Sequence, residues 1–296
     1  MRGRRFIKPE ALARLKNLRL IARTVVEGFI SGLHRSPYRG FSVEFAEYRE
    51  YTPGDDLKHF DWRAFARSDR HYIKLYQEET NLKAHILLDT SASMAYRSDG
   101  LSKLEYGSYL AASLAFLLVR QRDAVGLALF DGKLRKRLPP RASFGHLQNI
   151  LLELEQVKPS AVRGITDALH RIAESIKRRG LVVLISDLWD EQDEVLRAVH
   201  HFRHDRHEVV VFQVLDPTEV EFPFSGNLVF EDMETGERVS LPAHLFQQEY
   251  KERFDGLMGE YKRRFAEEGV EYVVARTDEP FDWLLVRFLA KRARLG

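Results

Sequence analysis

The chain has 296 residues, 46 Lys plus Arg against 44 Asp plus Glu, a formal charge of +2 and no cysteine. A chain of this length can bury about three quarters of its unfolded surface without staples. The absence of cysteine excludes disulfides, thiolate metal centres and cysteine nucleophiles, and the near-balanced charge leaves no global footprint for nucleic acid.

No run approaches the roughly 18 to 20 apolar residues of a membrane span; the longest, 110–119, contains Ser113. The basic N-terminus lacks an apolar core followed by a small-residue cleavage site. These features predict a cytoplasmic protein without its own span.

From the N-terminus, residues 1–24 carry Arg2, Arg4, Arg5, Lys8, Arg14, Lys16, Arg19 and Arg23 against Glu10. From Pro9 onward Leu12, Leu15, Ala22, Val25, Val26 and Phe29 fall near one helical face. The expectation is a helix packed on the core; the alternative is a basic arm on anionic lipid or an acidic partner. Residues 31–80 are rich in aromatic and charged side chains. Phe41, Val43 and Phe45 alternate like a half-buried strand, Thr52-Pro53-Gly54-Asp55 reads as a turn, and Asp61-Trp62 opens a short helical stretch.

The apolar run Ala84 to Leu88 has strand length and ends in Asp89, Ser91 and Ser93. In an open α/β sheet, ligands sit outside the carboxyl ends of the strands where the strand order reverses. Carboxylate and hydroxyl oxygens without sulfur or imidazole suit a hard cation, although Asp, Thr and Ser also cap helices. A helix follows over 103–121, then a strand over 124–130, a turn at Asp131-Gly132, and a short edge strand over 134–138 that stops at Pro139-Pro140. Its Lys133, Arg135, Lys136 and Arg137 offer phosphate contacts or protect the edge from pairing. Ser143 caps a helix to Leu154; Gly164-Ile165-Thr166 opens an amphipathic stretch to Lys177; Leu181 to Ile185 is a second buried strand ending in Ser186-Asp187.

Further on, 196–202 reads as a helix. His200, His201, His204 and His207 cluster there, with an i, i+4 pair at His200 and His204 that suits a transition metal or, more simply, a solvated helix end. Val209 to Val214 is a strand, Asp216-Pro217 opens an irregular stretch, and 228–230 with 238–241 forms a hairpin through Thr235-Gly236, an insertion near 226–241. A long helix over 243–267, a strand over 270–275 and a closing helix over 281–294 complete the chain. The alternation predicts an α/β fold, a doubly wound and mostly parallel sheet with an N-terminal extension over 1–80, a main domain over 81–296 and an inserted hairpin.

Asp89, Ser91, Ser93, Thr166 and Asp187 together resemble the metal-ion-dependent adhesion site of von Willebrand factor A-type domains. Glu44, Phe45, Arg49, Tyr51, Gly54, Asp55, Asp61, Trp62, Ala66, Arg67, Lys74 and Glu78 resemble the signature of domain-of-unknown-function family 58, whose members carry such a domain. The resemblance implies a non-enzymatic binding module: the five residues hold a divalent cation, Mg²⁺ first and Mn²⁺ or Ca²⁺ otherwise, and the cation grips an Asp or Glu side chain of a protein partner. It further implies a MoxR-type AAA+ ATPase as that partner, with this chain as adaptor or co-chaperone. Arg49, Asp55, Asp61 and Arg67 are candidates for a partner surface, or for internal ion pairs and turn caps.

Two alternatives stand beside this reading. Asp89 after a strand also suits the nucleophile of a metal-dependent phosphoryl-transfer hydrolase. That chemistry wants a carboxylate two residues on, where this chain has Ser91, and a positioned lysine that no motif supplies; there is also no Gly-rich phosphate loop and no Gly-x-Ser-x-Gly elbow. The other alternative is a metal-free scaffold in which these oxygens cap helices.

Overall fold

A computed structural model of the chain describes residues 17–33, 48–50, 72–74, 82–160, 164–233, 236–281 and 283–285. The first described element is α1 (Leu18–Leu33), whose Leu18, Ile21, Ala22, Val25 and Val26 are buried. Next come β1 (Tyr48–Glu50) and β2 (Tyr72–Lys74), a short antiparallel pair in which Arg49 lies opposite Ile73. The strand expected at Phe41 to Phe45, the turn at Thr52 to Asp55 and the helical stretch at Asp61 lie outside the described residues.

In chain order the remaining elements are β3 (Lys83–Asp89), α2 (Lys103–Arg120), β4 (Ala124–Phe130), β5 (Leu134–Arg141), α3 (Phe144–Gln156), α4 (Ile165–Ser175), β6 (Leu181–Ser186), α5 (Gln192–His204), β7 (Glu208–Leu215), α6 (Pro217–Glu221), β8 (Asn227–Glu231), β9 (Arg238–Pro242), α7 (Ala243–Glu267) and β10 (Glu271–Arg276). Six strands make one sheet in the order β10-β7-β6-β3-β4-β5. All neighbours in it are parallel except β5, which pairs antiparallel with β4. The doubly wound, mostly parallel α/β fold read from the sequence is the fold observed.

Strand alternation explains the layers. Ile86 and Leu88 of β3 and Val183 and Ile185 of β6 are buried with α1, α2 and α3 on one face. Leu87, Val182 and Leu184 are buried with α4, α5 and α7 on the other. Successive side chains of a strand point to opposite faces, so strands covered on both sides read as continuous apolar runs. Helix α2 lies close over the sheet: a Cβ on Gly107 would stand 3.0 Å from Leu88 Cδ1 and 3.2 Å from Ile185 Cγ2.

Several bounds differ from the sequence reading. The edge strand β5 runs through Pro139 and Pro140 to Arg141, because an edge position and an irregular register with β4 remove the need for their amide protons. Its basic side chains are held locally: Arg135 pairs with Asp131, Lys136 Nζ lies 2.9 Å from Glu153 Oε1, and Arg137 donates to the Ser175 carbonyl at 3.2 Å. Helix α5 begins four residues earlier than expected and α4 ends at Ser175. The stretch after Asp216, expected to be irregular, forms the short helix α6. A reciprocal cap starts it: the Asp216 side chain accepts from Thr218 N–H, and Glu219 accepts from Asp216 N–H at 2.8 Å.

The inserted β8–β9 hairpin stands apart from the main sheet. It is anchored by aromatic stacking, with Phe222 against Tyr250 of α7 at 4.4 Å between centroids and against Phe230 of β8 at 5.9 Å.

Gly126 of β4 and Gly145 of α3 provide a paired test of this packing. A Cβ at Gly126 would stand 2.7 Å from the Leu138 carbonyl oxygen and 2.9 Å from Pro140 N, both backbone atoms, whereas one at Gly145 meets nothing within 4 Å. In urea unfolding Gly126→Ala should destabilise by about 1–3 kcal/mol, and Gly145→Ala should stabilise by up to about 1 kcal/mol. Equal effects would contradict the close β4–β5 approach.

Candidate functional site

The strand order reverses between β3 and β6. From β3 the chain winds outward through β4 to β5, then returns to lay β6 on the other side of β3. Leu88 of β3 is level with Ile185 of β6, so the next residues, Asp89 and Ser186, leave the sheet side by side, followed by Asp187. The site therefore stands at the carboxyl end of the two central strands, at the switch point.

Asp89 is fully buried and both its oxygens are engaged. Oδ1 accepts from Ser91 N–H at 2.8 Å and Oδ2 from the Ser186 hydroxyl at 2.5 Å. A 3₁₀ turn over Ala92–Ala95 follows Ser91 and brings the Ser91 and Ser93 hydroxyl oxygens to 3.1 Å from each other. Asp187 is also buried; its Oδ1 accepts from Trp189 N–H at 3.3 Å, and its carbonyl accepts from the Gln213 side chain of β7 at 2.9 Å. Burial and the nearby Asp187 charge push the Asp89 carboxyl up to about 7, against the hydrogen bonds from Ser186 and Ser91.

Thr166 is the second residue of α4 and is half-buried. The segment before it is drawn to the site by Ser160, whose N–H donates to the Thr90 carbonyl at 2.8 Å and which forms a parallel bridge with Ser91. Gly164 turns the chain into the helix at φ 84°, a conformation glycine adopts without strain. Asp89, Ser91, Ser93 and Asp187 stand at the ends of the two central strands, and Thr166 stands at the start of the neighbouring helix. Of the other candidates, Arg49 lies in β1, while Asp55, Asp61 and Arg67 lie outside the described residues.

One central residue was not singled out by sequence reasoning. Lys103, at the first position of α2, has a fully buried side chain whose Nζ lies 2.8 Å from Asp187 Oδ2 and 2.6 Å from Glu219 Oε1. The cap of α2 places it there: Ser102 Oγ accepts from Glu105 N–H at 3.1 Å and Glu105 accepts from Ser102 N–H at 2.8 Å. Burial works against the ammonium, but the charges of Asp187 and Glu219 outweigh it and hold the lysine above its ordinary range. Only the early Ser-x-x-Glu pattern could have signalled a helix start here; nothing local pointed Lys103 toward residues 84 and 116 positions away.

The donor set fits a hard dication. Octahedral Mg²⁺–oxygen distances of about 2.1 Å place neighbouring ligands roughly 3 Å apart, close to the 3.1 Å between the Ser91 and Ser93 oxygens. Asp89 stands beside them, and its carboxyl is raised first by burial and then by the nearby Asp187 charge. Among the described residues no group of three or more His, Asp or Glu side chains is arranged to hold a metal; this site has another make-up, two carboxylates and hydroxyls. The clustered histidines diverge. His200 faces Glu268, His201 meets His170 at 3.1 Å between Nδ1 atoms, His204 faces Asp205, and His207 accepts from Gly180 N–H.

Beside the site opens a cleft of about 440 Å³ lined by Ser93, Tyr96, Lys103, Trp189 and Glu219 and, from the inserted hairpin, by Glu231, Asp232 and Met233. Helix α6 is tied to the cleft by Tyr96, whose hydroxyl lies 3.0 Å from Thr218 Oγ1, and by Asp216, which accepts from Ser98 N–H at 2.8 Å.

The six-stranded, mostly parallel sheet with helices on both faces defines a doubly wound α/β domain. The profile of the family described as "Protein of unknown function DUF58" matches residues 47–260, and the chain belongs to that family. An uncharacterised protein of Mycobacterium tuberculosis is 29% identical over 295 residues, covering 97% of this chain and 91% of its own length. A shorter uncharacterised protein of Mycobacterium avium is 29% identical over 170 residues, 53% of this chain and 95% of its own. Among solved structures, an aerotolerance-related membrane protein from Bacteroides fragilis superposes with TM-score 0.51 at 19% identity, over 73% of this chain and 100% of that one. The von Willebrand A domain of SpRpn10 superposes with TM-score 0.41 at 11% identity, over 70% and 94%. No helix among the described residues is long and apolar enough to cross a membrane.

The raised Asp89 pKa sets a pH dependence. An acid that titrates at about 7 when folded and 3.8 otherwise favours the folded state fully below about pH 3.8, and that contribution is lost as pH rises to about 7. His85 runs oppositely. Burial, with Arg137, His207 and Lys83 nearby, pushes it down to about 4, so its contribution is present above 6.5 and lost as pH falls toward 4. The Asp89 share is read as a difference. In chelator, wild type should lose stability relative to Asp89→Asn between about pH 4 and 7, with a constant gap above; a flat difference would contradict the buried carboxylate pair.

Proposed function

We propose that this chain is a non-enzymatic protein-binding module whose switch-point site holds a divalent cation, Mg²⁺ in the first instance, and through it an acidic side chain of a partner. The observation that carries this reading is the convergence of the Ser91 and Ser93 hydroxyls above the buried Asp89–Asp187 pair. Asp89, Ser91 and Ser93 would hold the cation, Thr166 would close in from the start of α4, and Asp187 would act from beside them. When bound, the cation supplies an under-neutralised positive centre that favours a further anionic oxygen. The protein's own part is to bury the carboxylates, aim the hydroxyls and shape the adjoining cleft.

The partner is a protein offering Asp or Glu. Family resemblance points to a MoxR-type AAA+ ATPase, with this chain as its adaptor or co-chaperone in the cytoplasm; a membrane role would come through such partners. Trp189 and Met233, 39% and 44% exposed in the lining of the cleft, offer apolar contact to a docked segment. The nucleophile role considered for Asp89 wants a second carboxylate two residues on, where the chain has Ser91. Lys103 is committed to Asp187 and Glu219.

Calorimetric titration of metal-stripped protein with Mg²⁺ and Mn²⁺, alone and with a MoxR-type ATPase, tests this reading. One saturable site, lost in Asp89→Ala and weakened in Thr166→Ala, is expected, with ATPase binding that requires the metal. Association that ignores chelator and both substitutions would leave the oxygens as helix caps and turn ligands. Trp189→Ala should weaken partner binding by about tenfold, in the range of an aromatic contact at an interface, while leaving the ion's affinity in the free chain within about twofold. An unchanged partner affinity would move the docking surface away from the cleft.

A further inference from the structure

Lys103 is a cation already present inside a site built for cations. Its ammonium is fully buried, and its salt-bridge partners are the site carboxylate Asp187 and, on α6, Glu219. The Glu219 carboxylate is occupied in turn: Oε1 accepts from the Trp189 indole at 3.2 Å and Oε2 from Asp216 N–H at 2.8 Å. Asp187 Oδ1 is taken by Trp189 N–H. No oxygen of Asp187 is left without a donor, and one of the two carries a full positive charge beside it. Among the described residues the donors to Asp89 are, by contrast, neutral: Ser91, through its N–H and its hydroxyl, and the Ser186 hydroxyl. The two carboxylates, equivalent in the sequence, are therefore unequal in the fold.

We infer that Lys103 is an internal counter-ion that withholds Asp187 from the metal, so that Asp89 alone supplies charge to the bound cation and the free chain holds it weakly. This rests on the metal reading proposed above and extends it to the partner. A carboxylate brought by the partner restores the charge that Lys103 withholds, so metal affinity and partner affinity rise together, as reciprocal linkage requires. The same lysine fastens α6 to the site: its ammonium bridges Glu219 of that helix and the site carboxylate Asp187.

The test is a Mn²⁺ titration of the full-length, partner-free chain, followed by the paramagnetic resonance of free Mn²⁺ and by calorimetry. Lys103→Met should tighten Mn²⁺ binding at least tenfold, and adding Asp187→Asn should abolish the gain. Glu219→Gln, which leaves Lys103 on Asp187, should change Mn²⁺ affinity by less than threefold. Because Lys103→Met leaves two buried acids without their cation, Lys103→Met/Glu219→Gln provides a variant with one fewer unpaired charge, and it should show the same gain. Circular dichroism checks that each variant is folded. Wild-type Mn²⁺ binding that is unchanged or weakened when Lys103 is removed overturns the counter-ion role while leaving the metal site standing. Absence of Mn²⁺ binding in wild type and both lysine variants overturns the metal reading, and the counter-ion role with it.

Discussion

Two carboxylates are buried within reach of each other's charge at the ends of the two central strands, and the surrounding structure answers that constraint. Burying an anion is costly unless it is paired and hydrogen-bonded. Asp89 meets the requirement with Ser91 N–H and the Ser186 hydroxyl, Asp187 with Trp189 N–H and the Lys103 ammonium. The capped start of α2, the close approach allowed by Gly107, the Gln213 side chain on the Asp187 carbonyl and the short helix α6 all serve to hold those partners. Packing and charge are joined here: the helix that covers one face of the sheet also brings the lysine.

The site is asymmetric as a result. Its Asp89 side carries neutral donors and two neighbouring hydroxyls, and its Asp187 side carries a fixed cation. The cleft beside it is lined by residues of different origin, among them Ser93 of the 3₁₀ turn, Lys103, Trp189 and Glu219, and by a hairpin that contributes nothing to the main sheet. The hairpin had no readable role in the sequence. The structure anchors it on α7 through Phe222 and sets its Glu231, Asp232 and Met233 along the cleft.

The central sheet and the Asp89 turn were legible because their signals are local. Strands covered on both faces need several apolar residues in succession, and Ala84 to Leu88, Leu181 to Ile185 and Val209 to Val214 satisfy that whatever surrounds them. Oxygen-bearing residues directly after such a run fall at the carboxyl end of the sheet, where Asp89, Ser91, Ser93 and Asp187 stand; Thr166, grouped with them in the sequence, opens α4. Element ends were less legible. Pro139 and Pro140 argued for the end of β5, yet an edge strand with an irregular register accommodates both; the reciprocal cap of Asp216 and Glu219 made a helix where the Asp-Pro pair suggested a loop.

The amino-acid sequence by itself determined the alternation of strands and helices, the family signature and the chemical nature of the site, since each depends on residue type and short spacing. Only the tertiary structure decided which carboxylate is paired with a charge, that Lys103 and Glu219 belong to the site, and that the four neighbouring histidines share no centre. The reason is distance along the chain. Lys103 reaches Asp187 across 84 residues and Glu219 across 116, and whether a lysine lies in solvent or inside a carboxylate pair depends on how a helix start is set against strand ends far away in sequence, which no local pattern encodes.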